Sequence, residues 1–370
     1  MAAPHPLLED DDLLGEILLR LPPRPSSLPR ASAFCSRWRR LLTSDTSFLR
    51  RFRARHRRDA PLLGVFEEDV FFTPTMDPPD RIPSNGARFS LPLDQNGEDH
   101  RVVGCRDGLV LILEPWRRYF LVWDPVSDEL RHVAFPPELD LIQKAEYNGA
   151  VFRAGGGGFP FEVVLVGSDK QRAFGCVYSS EASKWGNLIS SPLPPLVNGI
   201  DTEVAGVLIG DSLYWQFSGI WGGHFLQFDL NKQRLAMIDV PMNLSGGNLQ
   251  QFCVMPAEDG SLGINATIWR AKTAVSEGIV SGWMMEKTID LDKLLSLNLQ
   301  EQGESNPFLV GLAEDHNVIF LGSTAGVFMV HLKSMEFKKV SEVCGDKLVF
   351  PFAGVYAAGM AINDGNVEDD

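Results

Sequence analysis

The side chains that could carry chemistry in this 370-residue chain are present but not assembled. Seven histidines, at positions 5, 56, 100, 132, 224, 316 and 331, never fall four residues apart, and no Cys-x-x-Cys occurs. The sequence therefore offers no zinc spacing, and no metal or cofactor is expected. Gly155–Gly158 invites a phosphate-loop reading. However, Phe159-Pro160 and a β-prone run follow, where such a loop needs a helix N-terminus. No Gly-x-Ser-x-Gly elbow is found. The acidic pairs Glu67-Glu68 and Asp369-Asp370 read as solvated loop and tail rather than as a buried acid–base pair. Catalysis is not expected, which leaves binding. Aromatic residues in turn-like contexts, Trp116, Phe159 and Trp221, are the candidates for gripping a target. For Trp116 and Trp221, recognition and internal packing remain equal alternatives. Trp123, Trp185, Trp215, Trp269 and Trp283 read as packing.

The elements that would position such groups are of two kinds. Residues 7–52 encode short helices. Asp10, Asp11 and Asp12 place negative charge at a helix start, and Leu13, Leu14, Ile17, Leu18 and Leu21 form one stripe stopped by Pro22 and Pro23. Ser26 or Ser27 can cap a second helix, whose stripe runs Leu28, Ala31, Cys35, Trp38, Leu42. Asp45 or Ser47 opens a third, carrying Phe48, Leu49 and Phe52. A unit of under ~50 residues rarely buries a sufficient core alone, so its surplus apolar face needs another protein.

These residues resemble the F-box family in Asp12-Leu13-Leu14, Glu16-Ile17-Leu18, Arg20-Leu21-Pro22, Leu28, Arg30-Ala31, Cys35, Trp38-Arg39, Leu41 and Phe48. The family's usual opening Leu-Pro is replaced here by Glu9–Asp12. The resemblance implies docking onto a Skp-type adaptor and, indirectly, a cullin. The adaptor contacts would be Leu13, Leu14, Ile17, Leu18, Leu21, Pro22, Leu28, Trp38 and Phe48.

From Pro61 onward, short β-prone runs separated by Gly, Pro, Asn, Asp and Ser take over. They form a loose repeat whose turn entrances are Asp124, Ser179, Asp229, Asp290 and His331, separated by 55, 50, 61 and 41 residues. That is close to the ~40–50-residue period of propeller blades, which bury little apolar surface singly and must stack. Lys347–Tyr356 can return to complete an incomplete first repeat, Leu62–Pro92, and so remove an exposed sheet edge. Six blades are expected, with seven possible. Residues Asp107-Gly108-Leu109, Val122-Trp123-Asp124-Pro125 and Phe135-Pro136-Pro137 resemble the opening blade of the F-box-associated propeller of plant F-box proteins. Leu291–Leu299 reads as a short connecting helix.

The expectation is thus an α+β multidomain chain. It comprises an F-box trihelix (7–53), a basic linker (54–60), a β-propeller (61–360) and an acidic tail (361–370). Residues 1–58 carry net charge +6 and the remaining 312 carry −20. An acidic bulk repels phosphates, so nucleic acid is not an expected partner. No apolar run approaches a membrane span, and the first residues do not read as a signal peptide. Five scattered cysteines fit a reducing intracellular setting, cytoplasmic or nuclear. The function expected is target recognition for an SCF-type ubiquitin ligase. The alternatives are a non-degradative scaffold, and a propeller enzyme or carbohydrate-binding module.

Overall fold

The computed structural model describes residues 11–83, 89–91, 100–142, 144–154, 159–195, 197–218, 224–239, 253–256, 262–265, 268–273, 280–287, 307–342 and 347–356. The glycine run 155–158, the helix expected at 291–299, Asp290, Trp221 and the tail 361–370 lie outside the described residues.

Four helices, not three, open the chain: α1 (Asp11–Leu18), α2 (Ser27–Ser32), α3 (Ser36–Ser44) and α4 (Thr46–His56). The expected second helix divides at Cys35, which is extended at φ −158°, ψ 166° and re-aims the backbone. Its Sγ accepts the Trp38 N–H at 3.5 Å and so caps α3. Asp45 caps α4 as the sequence predicts, its Oδ1 accepting from the Ser47 and Phe48 N–H groups at 2.9 and 3.1 Å. Hydrogen bonding from Ser47 leads the effects that hold its carboxyl below the usual range, against a smaller opposing contribution from burial. Ser26 makes no side-chain cap to α2. Its backbone N–H instead donates to Asp80 Oδ1 at 3.0 Å, tying the helices to the β region.

The rest is a propeller of sheets whose strands follow one another antiparallel. The first blade comprises β3 (Arg101–Arg106), β4 (Leu109–Glu114), β5 (Tyr119–Asp124) and β6 (Glu129–Ala134). The second comprises β7 (Glu146–Arg153), β8 (Phe161–Ser168), β9 (Arg172–Ser179), β10 (Lys184–Trp185) and β11 (Ile189–Pro192). The third comprises β12 (Val207–Ile209), β13 (Ser212–Gln216), β14 (His224–Asp229) and β15 (Arg234–Asp239). The fourth comprises β16 (Cys253–Pro256), β17 (Leu262–Asn265), β18 (Ile268–Thr273) and β19 (Val280–Lys287). The fifth comprises β20 (Phe308–Ala313), β21 (Val318–Ser323), β22 (Gly326–His331) and β23 (Phe337–Ser341).

The blade number corrects the expectation of six or seven: five blades carry four strands or more. The remaining sheet has three strands among the described residues, in the order β2 (Phe72–Pro74), β1 (Leu62–Glu67), β24 (Val349–Ala353). Its strands come from the two ends of the β region. Val65 pairs Pro351 and Phe66 pairs Phe350, so the last strand does return to the first repeat as the sequence predicts.

Turn chemistry explains the repeat. Asp124 Oδ1 accepts from the Val126 and Ser127 N–H groups at 2.9 and 3.1 Å, and Asp229 Oδ1 accepts from Lys232 N–H at 2.8 Å. Each of four such turns ends on a left-handed residue: Asp128, Ser183, Gln233 and Met335, with φ of 50–64°. In the fourth blade the third strand ends at Thr273, not near Asp290. Polar Arg270 and Lys272 interrupt the apolar run there and hide that strand from a hydrophobic reading. At the first hairpin, Asp107-Gly108 takes φ of 55° and 75°, the two-residue turn that matches strand twist.

Every residue of β4 is buried because both faces of its blade are covered. Leu109, Leu111 and Leu113 pack with Val151, Val163 and Leu165 of the second blade. Their alternates Val110 and Ile112 pack with Phe66, Phe72 and Phe352 of the closing sheet. Phe352 is fully buried and meets Phe66 edge-on at 5.5 Å.

Two outcomes follow. Phe352→Ala, which empties the seam between chain ends, lowers unfolding stability by about 3–5 kcal/mol in urea titration. Asp45→Ala destabilises the α3–α4 corner by about 1 kcal/mol. Because the carboxyl's folded pKa is lowered, its contribution is present above the unfolded value of 3.8 and lost as pH falls through the folded one. Amide exchange of α4 at pH 6 and under acid conditions reads both effects.

Candidate functional site

The N-terminal helices divide their apolar residues between a core and an outer surface. Leu14, Leu18, Leu28, Leu42, Phe48 and Phe52 are buried against one another. Of the residues expected to meet an adaptor, Leu14, Leu18, Leu28 and Phe48 therefore support the surface from behind. Leu13 and Ile17 stand out, 44% and 45% exposed, with Pro22 also exposed and Leu21 and Trp38 half-buried. The structure adds Phe34, 75% exposed, whose ring lies 4.8 Å from that of Trp38. Sequence reading passed over Phe34. Its spacing of four from Trp38 was the available signal, obscured because the pair straddles the helix break. Arg37 Nε donates to Asp11 Oδ1 at 2.8 Å and fixes the start of α3 beside the start of α1.

The helices join one propeller face, the one carrying the turns after β3, β7 and β20. Arg57 Nε and Nη2 donate to the two Asp107 carboxylate oxygens at 3.2 and 3.4 Å, and Nη2 also donates to the Arg153 carbonyl at 3.0 Å. The Arg153 N–H returns to Asp107 Oδ2 at 3.1 Å, and its guanidinium pairs with Asp124. Two ion pairs, Arg57–Asp107 and Arg153–Asp124, joined by hydrogen bonds between Asp107 and Arg153, thus link the end of the helices to two blades. His316 Nε2 lies 2.8 Å from the Ala60 carbonyl, and Val355 packs against the helical core. Between α4 and the blades remains a cleft of about 310 Å³. Phe159 lines it, its ring 5.1 Å from the Arg153 guanidinium and 5.6 Å from the ring of Phe161.

Trp116 lies on the opposite face, in the turn from β4 to β5, and is 78% exposed. The structure therefore separates the target-binding candidates Trp116 and Phe159, which sit at opposite ends of the propeller axis. Along that axis runs a cavity of about 110 Å³, lined by β3, β7, β12, β20 and β24. Near its helix-side end Arg106 Nη2 donates to Glu314 Oε1 at 2.7 Å, and the same oxygen accepts the Leu208 N–H at 3.0 Å. One carboxylate thereby joins the first, third and fifth blades. Burial pushes its pKa up, opposed by Arg106 and the Leu208 N–H. Cys176 is wholly buried, which pushes its thiol up to about 12 and makes it a packing group. Among the described residues no group of three or more His, Cys, Asp or Glu side chains is placed to hold a metal ion.

This geometry, an outward apolar helical surface fixed to a propeller, is consistent with the family comparisons. A model described as F-box domain matches residues 10–50. A second, described as F-box protein AT5G49610-like, beta-propeller, matches residues 101–357. Curated proteins yield no match. Among solved structures, the extracellular domain of the BT4673 one component system from B. thetaiotaomicron aligns with a TM-score of 0.34 and 15% identity, over 68% of this chain and 29% of that one. Apo AztD from Citrobacter koseri aligns at 0.34 and 10% identity, over 71% and 78%. A chain of the nidogen/laminin complex aligns at 0.36 and 8% identity, over 77% and 95%. The chain thus spans under a third of the first of these and most of the other two. Scores this low carry no argument about function.

The junction makes a direct prediction. Asp107→Asn, which keeps the left-handed turn, removes the charge that Arg57 and the Arg153 N–H share, costing about 1–3 kcal/mol of local stability. Faster amide exchange in α4 and at the end of β7, with the remaining blades unchanged, is the expected outcome.

Proposed function

The chain belongs to the plant-type F-box proteins with an AT5G49610-like β-propeller, and from that membership we propose that it is a non-catalytic substrate receptor of an SCF-type ubiquitin ligase. The observation that carries this reading is the outward face of the F-box. Leu13, Ile17 and Phe34 remain exposed on a unit whose other large apolar side chains are mostly covered. Single exposed leucines are ordinary, but three such side chains on so small a helical unit form a surface that another protein must cover.

In this reading a Skp-type adaptor takes Leu13, Ile17, Leu21, Pro22, Phe34 and Trp38. The buried Leu14, Leu18, Leu28 and Phe48 hold those residues in place. The cullin is engaged only through the adaptor, and the work is done inside the cell. The propeller holds a target protein near the ubiquitin-charged enzyme recruited elsewhere in the complex. Rate is gained by proximity, because a tethered lysine meets the reactive thioester at high effective concentration. The Arg57–Asp107–Arg153–Asp124 link supports this role, since a receptor that swung freely on its F-box would dilute that concentration.

Co-expression with a Skp-type adaptor tests the proposal. The double substitution Leu13→Asp, Ile17→Asp is expected to abolish co-purification while leaving the thermal midpoint of the isolated chain nearly unchanged, because both side chains are already exposed. Undiminished adaptor binding by a folded double variant overturns the reading.

A further inference from the structure

The F-box covers part of one propeller face, and among the described residues no other element lies across the opposite one. Outside the F-box, the exposed large apolar side chains among the described residues are Phe71, Trp116, Leu141 and Phe337. Phe71 (59% exposed), Trp116 and Leu141 (87% exposed) all fall in connections that topology places on the open face. Phe71 joins β1 to β2, Trp116 joins β4 to β5, and Leu141 lies between β6 and β7. Two of these loops are tied to each other, and the third to the first blade. Arg118 Nε lies 3.2 Å from Asp140 Oδ1, which joins the Trp116 turn to the Leu141 segment. The Val102 N–H donates to the Glu68 carbonyl at 3.0 Å, which joins the Phe71 turn to the first blade. Scattered exposed apolar residues need no explanation, but the joined Trp116 and Leu141 loops, with Phe71 on the same face, offer apolar surface for a partner.

Charge says what the patch accepts. Glu203 lines the axial cavity at this end, Glu68 lies close enough to feel its charge, and Glu146 is likewise coupled to Asp201. Burial pushes the Glu68 and Glu146 carboxyls up, reinforced by Glu203 and Asp201 respectively, with Arg101 the cation acting on both and Lys347 acting on Glu68. At the foot of the Trp116 turn, Glu114 is 94% buried and its Oε2 makes no hydrogen bond. Arg117 Nε stands off at 3.8 Å. The cleft on the opposite face is lined by Arg50 and Arg53 of α4, Arg57 just after it and Arg153, against Asp107, Asp124 and Glu129. Carboxylates thus outnumber cations around Glu68, Glu146, Asp201 and Glu203, whereas the cleft beneath the F-box is close to balanced.

We propose that the open face is the target-docking surface, and that its occupant is a segment of the target protein in which Lys or Arg side chains alternate with apolar ones. The apolar residues cover Trp116, Leu141 and Phe71, and the cations enter the acidic mouth. Indole faces also attract cations, so Trp116 serves both kinds of side chain. This deepens the substrate-receptor reading and rests on it.

The test uses the full chain bound to its adaptor and two photo-crosslinking peptides of equal length, one alternating Lys and Arg with Leu, the other alternating Glu with Leu. The basic peptide is expected to bind at least roughly tenfold more tightly, and to crosslink to residues 68–71, 114–118 and 138–146. Trp116→Ala with Leu141→Ser, both exposed and harmless to folding, should weaken it about tenfold. Glu68→Gln with Glu203→Gln should flatten its salt dependence. Equal binding of the two peptides, crosslinks confined to the F-box side, or indifference to the Trp116 and Leu141 changes overturns the proposal. The arms are separable from the adaptor question: Leu13→Asp, Ile17→Asp removes the adaptor and should leave the peptide measurements on the free chain unaltered. Failure of the peptide arm with intact adaptor binding rejects this surface alone.

Discussion

Pairing of β1 with β24 is the interaction on which the molecule depends. It joins residues 62–67 to residues 349–353, almost the whole β region apart in sequence. The blades have no independent reason to persist, since each buries its apolar faces only against its neighbours. Closure supplies the last neighbour. It is made as backbone pairing sealed by a cluster of Phe66, Phe72, Phe89 and Phe352, whose ring centroids lie 4.5–6.5 Å apart. Without it the first and fifth blades would each present an uncovered apolar face.

Closure also decides where the F-box can be. The helices lead directly into β1, so they emerge at the end of the propeller where β1 begins and β24 stops. The Gly354 N–H donates to the Pro61 carbonyl at 3.1 Å, which marks the meeting of incoming and outgoing chain. From that point α4 reaches Asp107 and Arg153. The two surfaces are therefore set apart by connectivity: the adaptor-facing helices stand on one side of the ring and the exposed aromatic loops on the other. The separation follows from strand order.

An ion pair spans the largely apolar axis near its helix-side end. Arg106 and Glu314 are both largely buried, and Glu314 also accepts the Leu208 N–H. A buried pair of this kind adds little net stability compared with apolar packing, because desolvation offsets the Coulombic gain. Its value lies in geometry. Arg106, Glu314 and Leu208 come from the first, fifth and third blades, so the pair fixes their relative positions across a cavity that packing alone would leave under-determined.

Local sequence determined the parts with local causes. The α1 leucine stripe, the Asp45 cap, the Asp107-Gly108 hairpin and the Asp124 and Asp229 turns could be read because each depends on residues within one turn of chain. The propeller class followed from their recurrence, and the family from the resemblance of residues 12–48 to the F-box pattern. Tertiary structure decided what depends on distant partners. The expected Ser26 side-chain cap on α2 is absent, and its backbone N–H instead binds Asp80. Cys35, read as an apolar stripe residue, became the cap that splits a helix. The leucines of α1 were alike in sequence, yet packing buried Leu14 and Leu18 and left Leu13 and Ile17 outside. The blade count, the Arg106–Glu314 link and the placing of Trp116 and Phe159 on opposite faces all require knowing how the ring closes. The repeat showed that residues near 350 return to those near 62, but the side chains that meet across the axis and between blades lie hundreds of positions apart, and no periodicity along the chain records them.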